Sequence, residues 1–218
     1  MKKLLSIAVL STVLLSSCYK TRLKGEGSIV EDSRNVSSFY TLQSDGSTDV
    51  QIYASKTNKV VVSGYQNLVP VFETNVSGDK LTLKFKEKYI NVRNNNIKVT
   101  VYTTNLNMVR INGSGNITIG DSLASKTMQA EINGSGNMYF GKNLFNEMDL
   151  HVNGSGNINA YQAAGKTVTA NISGSGNIKT TVLETLNAKI SGSGDIEYSG
   201  NPTSVNINTS GSGKVRKN

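Results

Sequence analysis

The chain has 218 residues, a formal net charge of +8 at pH 7 and 37% hydrophobic residues. That hydrophobic share excludes a chain that is disordered throughout. With one cysteine and one histidine, the sequence also excludes an intrachain disulfide and a transition-metal site built from several such side chains.

The first 17 residues predict a secretory signal peptide. Met1-Lys2-Lys3 is a basic start, and the apolar run that follows, residues 4–15, is too short for a permanent membrane-spanning helix. The run ends in Leu15-Ser16-Ser17-Cys18, which resembles the lipobox of bacterial lipoproteins. We therefore predict that Cys18 is lipidated and begins the mature chain. An ordinary signal peptide with an incidental cysteine is the alternative.

Residues 18–34 predict a short lipid-anchored tether. The segment is polar and shows no apolar period, which is typical of a linker. Its cations suit contact with anionic lipid, and a solvated linker explains them equally well. The folded domain is then predicted to occupy residues 35–218.

The beginning of this domain predicts irregular coils of a β-solenoid. Alternating apolar runs lie at residues 60–62, 81–85 and 97–102. The stretch 45–52 can be laid on 112–119, and the 67 residues from the first glycine of one to that of the other leave room for about three intervening coils. Irregular first coils are expected because the exposed end of a solenoid needs a cap.

From residue 113 onward, Gly-Ser-Gly recurs about every 20 residues. The copies stand at 113–115, 134–136, 154–156, 174–176, 192–194 and 211–213, and such a period is typical of a solenoid. Val109 and Ile111 alternate with polar residues before the first copy, as Ile117 and Ile119 do after it. This alternation predicts a strand on each side of a glycine corner. Coiling would pair equivalent strands in parallel about 4.8 Å apart, which gives an all-β fold, a parallel β-helix.

Small polar residues flank each glycine corner. Asn112 and Asn116 do so in the first copy, and Asn, Ser or Asp stands at most of the equivalent positions. These side chains tolerate turns, and we expect them to form amide ladders where they stack. A calcium-binding glycine repeat is the functional alternative, but it needs an aspartate in every copy, and only Asp195 supplies one.

Four stretches carry a resemblance to a known family. They are Ser37-Ser38-Phe39, the stretch 47–52, the stretch 97–102 and the stretch 109–117. Together they resemble the family of putative auto-transporter adhesins, head GIN domain, whose members are mostly lipoproteins or secreted proteins of Bacteroidetes. The resemblance covers about residues 35–215 and implies a right-handed parallel β-helix. It brings no catalytic residues with it.

Two outward surfaces are candidates for binding. Lys84, Lys86 and Lys88 are predicted to share one strand face, which suits an anionic partner or, as the alternative, protects a strand edge from aggregation. An outward row is predicted across three coils, formed by Tyr139, Asn159 and Lys179. Flat rows of this kind suit extended partners such as glycans or other envelope proteins.

Catalysis is the weaker interpretation. The alternative function is a polysaccharide lyase or hydrolase, for which Glu131 and Asp149 on adjacent coils are the candidate carboxylates, while His151 is expected to be a solvated surface residue. We predict instead a lipid-anchored protein of the cell envelope, at the outer membrane, with an adhesin-like or structural role. No catalytic residue, metal, cofactor or nucleic-acid partner is expected.

Overall fold

The computed structural model describes residues 21–218, which form nineteen strands and one 3-10 turn, Val69–Val71. The strands are β1 (Thr21–Lys24), β2 (Ile29–Asn35), β3 (Thr41–Gly46), β4 (Asp49–Ala54), β5 (Lys59–Tyr65), β6 (Phe72–Ser77), β7 (Lys80–Phe85), β8 (Tyr89–Arg93), β9 (Lys98–Thr103), β10 (Met108–Gly113), β11 (Asn116–Ile119), β12 (Thr127–Gly134), β13 (Asn137–Phe140), β14 (Asn143–Gly154), β15 (Asn157–Gly174), β16 (Asn177–Gly192), β17 (Ile196–Ser199), β18 (Ser204–Gly211) and β19 (Val215–Lys217). No helix in this part of the chain is long and apolar enough to cross a membrane.

Parallel coils stack into a β-solenoid of about six turns, with equivalent residues about 20 apart in sequence. Gly113 pairs with Gly134, Gly134 with Gly154 and Gly154 with Gly174, so each Gly-Ser-Gly corner lies above the previous one. The parallel solenoid predicted from the repeat is therefore confirmed.

Two long walls enclose the core. Seventeen of the strands form one continuous sheet. Its pairings define one wall, sheet A, as β6-β7-β3-β10-β12-β14-β15-β16-β18, and another, sheet B, as β2-β5-β9-β4-β11-β13-β15-β16-β17-β19. The long strands β15 and β16 belong to both, because each passes from sheet B through a short third wall into sheet A. Alternate residues point inward and are buried, as Ile132, Leu150 and Ile178 show at 0% exposure. The period of two in the sequence arises from this division between core and solvent.

The prediction of about three intervening coils between Gly46 and Gly113 is wrong. Gly46 pairs directly with Gly113, and Val50 pairs with Ile117, so no coil separates the two corners. The alignment of 45–52 with 112–119 is nevertheless confirmed by this pairing. Residues between the two corners leave the stack and return to it on its other side, where β7 pairs with β3 and β9 with β4.

Antiparallel strands form the cap at this end. Strand β5 lies antiparallel between β2 and β9, and β6 lies antiparallel to β7. The half-buried Arg34 of β2 ties the two sides together, because its guanidinium donates to the carbonyl oxygens of Phe72 (2.6 Å) and Val69 (2.9 Å) and to the carboxylate of Asp32 (2.8 Å). An irregular cap was predicted, whereas its antiparallel pairing was not.

Among the described residues, two strands lie within the range 18–34 that was predicted to be a tether, because β1 begins at Thr21 and β2 at Ile29. The Thr21 amide donates to the Lys88 carbonyl (2.8 Å) and the Gly25 amide to that of Arg93 (2.9 Å), while Leu23 packs against the core. Strand β1 has a single inward apolar residue, so its sequence shows no alternating pattern. Its place in the fold is fixed by its pairing with β8. The signal peptide and Cys18 lie outside the described residues, so both stay predictions.

Candidate functional site

The outward side of sheet B carries the predicted row. Tyr139 pairs with Thr118 on one side and with Asn159 on the other, and Asn159 pairs with Lys179. All four side chains are exposed. Because the coils keep strict register here, polar and aromatic side chains repeat at the strand spacing of about 4.8 Å.

Two tyrosines of the first coil and the cap lie beside this row, because Thr118 pairs with Gln51 and Tyr53 stands two residues beyond Gln51. The rings of Tyr53 and Tyr102 stack with their centroids 5.9 Å apart and their planes at 30°, and the ammonium group of Lys59 lies 4.9 Å from the Tyr102 ring centre. Tyr53 is 44% exposed and Tyr139 is 45% exposed, so both offer ring surface to a partner. We name this surface the tyrosine face and define it by Tyr53, Tyr102, Thr118, Tyr139, Asn159 and Lys179.

A groove of about 400 Å³ adjoins the tyrosine face at its cap end. The polar residues that line it are Glu31, Asp49, Gln51, Ser63, Lys98 and Thr100. The Tyr53 hydroxyl donates to the Gln51 side chain at 3.3 Å, so the groove and the aromatic surface are continuous. A polar groove beside exposed rings offers both hydrogen bonds and stacking to one ligand.

The C-terminal part of this face is ionic. Lys179 forms an ion pair with Glu197 at 2.9 Å and lies 5.6 Å from the Tyr161 ring centre. Burial, together with the nearby Glu197 carboxylate, raises the pKa of Tyr161 to about 12, so its hydroxyl stays protonated. The Tyr161 hydroxyl and Lys179 hold the pKa of Glu197 below its usual value. This end therefore presents fixed charges beside an aromatic ring.

The prediction that Lys84, Lys86 and Lys88 share one strand face is wrong, whereas binding at these residues stays a prediction. Strand β7 ends at Phe85, so Lys86 and Lys88 lie in the turn beyond it and share no strand face with Lys84. Nor is β7 a sheet edge, because it pairs with both β3 and β6. Lys84 is paired with Glu87 at 2.8 Å. That hydrogen bond, followed by the charges of Glu87, Glu73 and Asp45, raises the pKa of Lys84 despite some desolvation.

Amide ladders run along both sides of the glycine corner, as predicted. In one, the side-chain amide of each asparagine donates to the side-chain oxygen of the previous coil, at 2.9 to 3.0 Å from Asn177 down to Asp49. In the other, Asn153 donates to Asn133 and Asn112 donates to Asp45. A carboxylate only accepts hydrogen bonds, so an aspartate terminates each ladder at the cap end. The ladders use the hydrogen-bonding groups of these asparagine side chains, which supports a structural role for the corners.

The candidate carboxylates of the enzyme alternative lie on the outward side of sheet A. Glu131 pairs with His151, and Asp149 pairs with Gln129, so the two acids are diagonal neighbours. Partial burial would raise the pKa of Glu131, but hydrogen bonds from Asn133 and Arg110 outweigh it and lower the pKa. Arg110 donates to one oxygen of this carboxylate at 2.7 and 2.9 Å. A carboxylate held ionised in this way is poorly suited to act as a general acid.

Metal binding has no obvious site in the part of the chain that the structure describes. Within residues 21–218, no group of three or more His, Cys, Asp or Glu side chains is placed to hold a metal ion.

Sequence reasoning missed Tyr53 and Tyr102. Both stand at outward positions of strands that the sequence predicts, but their contact depends on the pairing of β4 with β9. That pairing was hidden because the intervening residues were interpreted as further coils.

Comparison with known proteins places this fold in a family. The model of the family described as putative auto-transporter adhesin, head GIN domain, matches residues 38–202. The chain belongs to this family. The resemblance seen in the sequence is thereby confirmed. No curated protein matches the chain.

Solved structures of similar fold carry related descriptions. A putative adhesin from Bacteroides fragilis is 22% identical, with a TM-score of 0.67 over 90% of this chain and 100% of that one. A putative lipid binding protein from Parabacteroides distasonis is 22% identical, with a TM-score of 0.59 over 91% and 100%. A putative adhesin from Parabacteroides merdae is 22% identical, with a TM-score of 0.58 over 90% and 99%. At these identities the likeness concerns the fold.

Proposed function

We propose that this protein is a lipid-anchored adhesin head of the cell envelope that binds an extended glycan along the tyrosine face without catalysis. The observation that carries the proposal is the row of exposed side chains in register from Thr118 through Tyr139 and Asn159 to Lys179, with the stacked rings of Tyr53 and Tyr102 beside it. Membership of an adhesin-head family and the adhesin descriptions of similar folds support a binding role.

The chemistry of the face favours a glycan over a globular protein partner. Exposed rings such as Tyr53 and Tyr139 offer flat apolar surfaces to sugar rings, while Thr118, Asn159 and Gln51 supply donors and acceptors for hydroxyl groups. Tyr53 and Tyr139 lie two coils and two residues apart in register, which places them about 12 Å apart. An extended chain can reach both, and weak contacts made together add up in affinity.

Lipid anchoring at Cys18 and a place at the outer membrane belong to the same proposal. Their support is the basic and apolar N-terminus, which ends in Leu15-Ser16-Ser17-Cys18. An anchor of this kind would hold the solenoid at the envelope, where an adhesin meets its glycan. Another envelope protein is the alternative partner for the same face.

Calorimetric titration with envelope and host glycans tests the binding proposal. The variant Tyr53→Ala/Tyr139→Ala should weaken binding about tenfold, because each stacking contact contributes about 0.5–1.5 kcal/mol. Tyr40→Ala is the matched control, since Tyr40 is 47% exposed but lies outside the tyrosine face. Equal loss in the control, or cleavage of the glycan by the wild-type chain, would contradict the proposal.

A further inference from the structure

The two-stranded ribbon of β1 and β8 has one apolar side and one cationic side. Leu23 and Val92 pack against the solenoid core. Their neighbours Arg22, Lys24 and Arg93 point the other way and are exposed. Lys24 pairs with Arg93 across the ribbon, so three cations share one outward surface.

The turn that leads into β8 adds two further cations. Lys86 and Lys88 are exposed there, beside the start of the ribbon. Across residues 21–26 and 86–93, only Glu26 and Glu87 are acidic, and Glu87 is engaged by Lys84 at 2.8 Å. The surface formed by Arg22, Lys24, Lys86, Lys88 and Arg93, which we name the cationic ribbon, therefore carries a clear excess of positive charge.

The ribbon is tied closely to the predicted anchor. Three peptide steps separate Cys18 from Thr21, and such a segment spans at most about 11 Å even when fully extended. Thr21 is held in the fold by its hydrogen bond to the Lys88 carbonyl. A lipid on Cys18 would thus bring the ribbon to the membrane surface, whereas the longer tether expected from the sequence would have let the domain stand away from it.

We propose that the cationic ribbon docks on the anionic head groups of the membrane that holds the anchor, so that the cap end faces the bilayer. The proposal rests on the predicted lipidation of Cys18 for its setting, but the ribbon itself is a feature of the described structure. Guanidinium and ammonium groups bind phosphate oxygens by charge-assisted hydrogen bonds. With the cap at the membrane, the coils of the stack lead away from the bilayer.

Docking of this kind has a predictable strength. A basic side chain close to an anionic membrane surface contributes about fivefold to partitioning, which corresponds to about 1 kcal/mol. Removal of three such charges should therefore weaken binding about a hundredfold. The attraction is screened within about 10 Å at 0.1 M salt, so binding should weaken steeply as salt is added.

Vesicle co-sedimentation tests the ribbon apart from the anchor. The chain from residue 18 onward, which contains every described residue, is produced with Cys18→Ser so that it cannot be acylated. It is mixed with vesicles of phosphatidylcholine alone or of phosphatidylcholine with phosphatidylglycerol. The test variant is Arg22→Gln/Lys24→Gln/Arg93→Gln. The control, Lys126→Gln/Lys142→Gln/Lys189→Gln, removes the same charge from exposed positions elsewhere on the solenoid.

Salt-sensitive binding to the anionic vesicles that is lost in the test variant and kept in the control supports the proposal. Equal binding to both kinds of vesicle, or equal loss in both variants, overturns it. Stronger binding of a soluble acidic polysaccharide to the same residues also overturns it, because the ribbon would then serve a soluble ligand. Acyl labelling of the full chain tests Cys18 independently, so failure of the anchor and failure of the ribbon are distinguishable.

Discussion

At the residue scale, two constraints require glycine at the corner, namely a positive φ and the close approach of the neighbouring coil. Gly154 and Gly46 allow the two constraints to be tested separately. Gly154 has φ +134°, and a Cβ there would collide with the Gly134 carbonyl of the coil below. Gly46 has φ +110°, but its position is open. We expect Gly46→Ala to cost about 1–2 kcal/mol from backbone strain alone, and Gly154→Ala to cost clearly more because the neighbouring backbone must shift. Urea unfolding of both variants measures the difference, and equal costs would show that close stacking is not the constraint.

Glu131 gives a second prediction at this scale, which concerns pH. Its folded pKa is lowered below the usual 4.5, so its contribution to stability is present above pH 4.5 and is lost as the pH falls through the folded value. Glu131→Gln should therefore destabilise the protein near neutral pH, and its difference from wild type should shrink in acid. Thermal melts across the acidic range measure this. If the stability difference between Glu131→Gln and wild type did not depend on pH, the negative charge of Glu131 would contribute nothing through its contact with Arg110.

At the element scale, the amide ladder makes the corner a directional structure. Asn137 donates to Asn116 and accepts from Asn157, both at 2.9 Å. Asn137→Asp removes the donor and sets two acceptors against each other, so we expect a loss of about 1–3 kcal/mol in the free energy of unfolding. Asn75→Asp on β6 is the control, because its exposed side chain lies outside both ladders. If Asn137→Asp and Asn75→Asp both lowered the free energy of unfolding by a similarly small amount in urea, the ladder would contribute little to stability.

The same elements show how far sequence reasoning reaches. The repeated pattern predicts two strands, the glycine corner between them and the amide ladder, because every copy of the repeat has the same neighbours above and below. The cap did not follow, since alternation at residues 60–62 or 97–102 is the same for parallel and antiparallel partners. Strand β1 was missed because Leu23 alone faces the core. The tyrosine face was found only where the register was regular, at Tyr139, Asn159 and Lys179, and missed where the chain leaves the stack.

At the scale of the whole molecule, the two ends of the stack differ. The cap end carries antiparallel strands, the Arg34 contacts and the cationic ribbon. The other end of the described chain carries β18 and β19, which pair on one side only, with β16 and β17. Val205 and Ile207 are 38% and 52% exposed there, although their partners one coil below, Leu186 and Ala188, are buried. One end is thus closed by packing, and the other presents a coil with less support.

This asymmetry predicts a gradient of stability along the stack. In a solenoid each coil is stabilised by its neighbours, so β18 and β19, with one neighbour each, should open locally before the rest. We expect their amides to exchange at least about tenfold faster than those of β12 and β14. Strand β2 is the control, because it also pairs on one side only but is held by Arg34, so its amides should be slower than those of β18. Hydrogen exchange followed by mass spectrometry measures all three regions, and uniform protection from β2 to β19 would instead show that the coils open as a single unit.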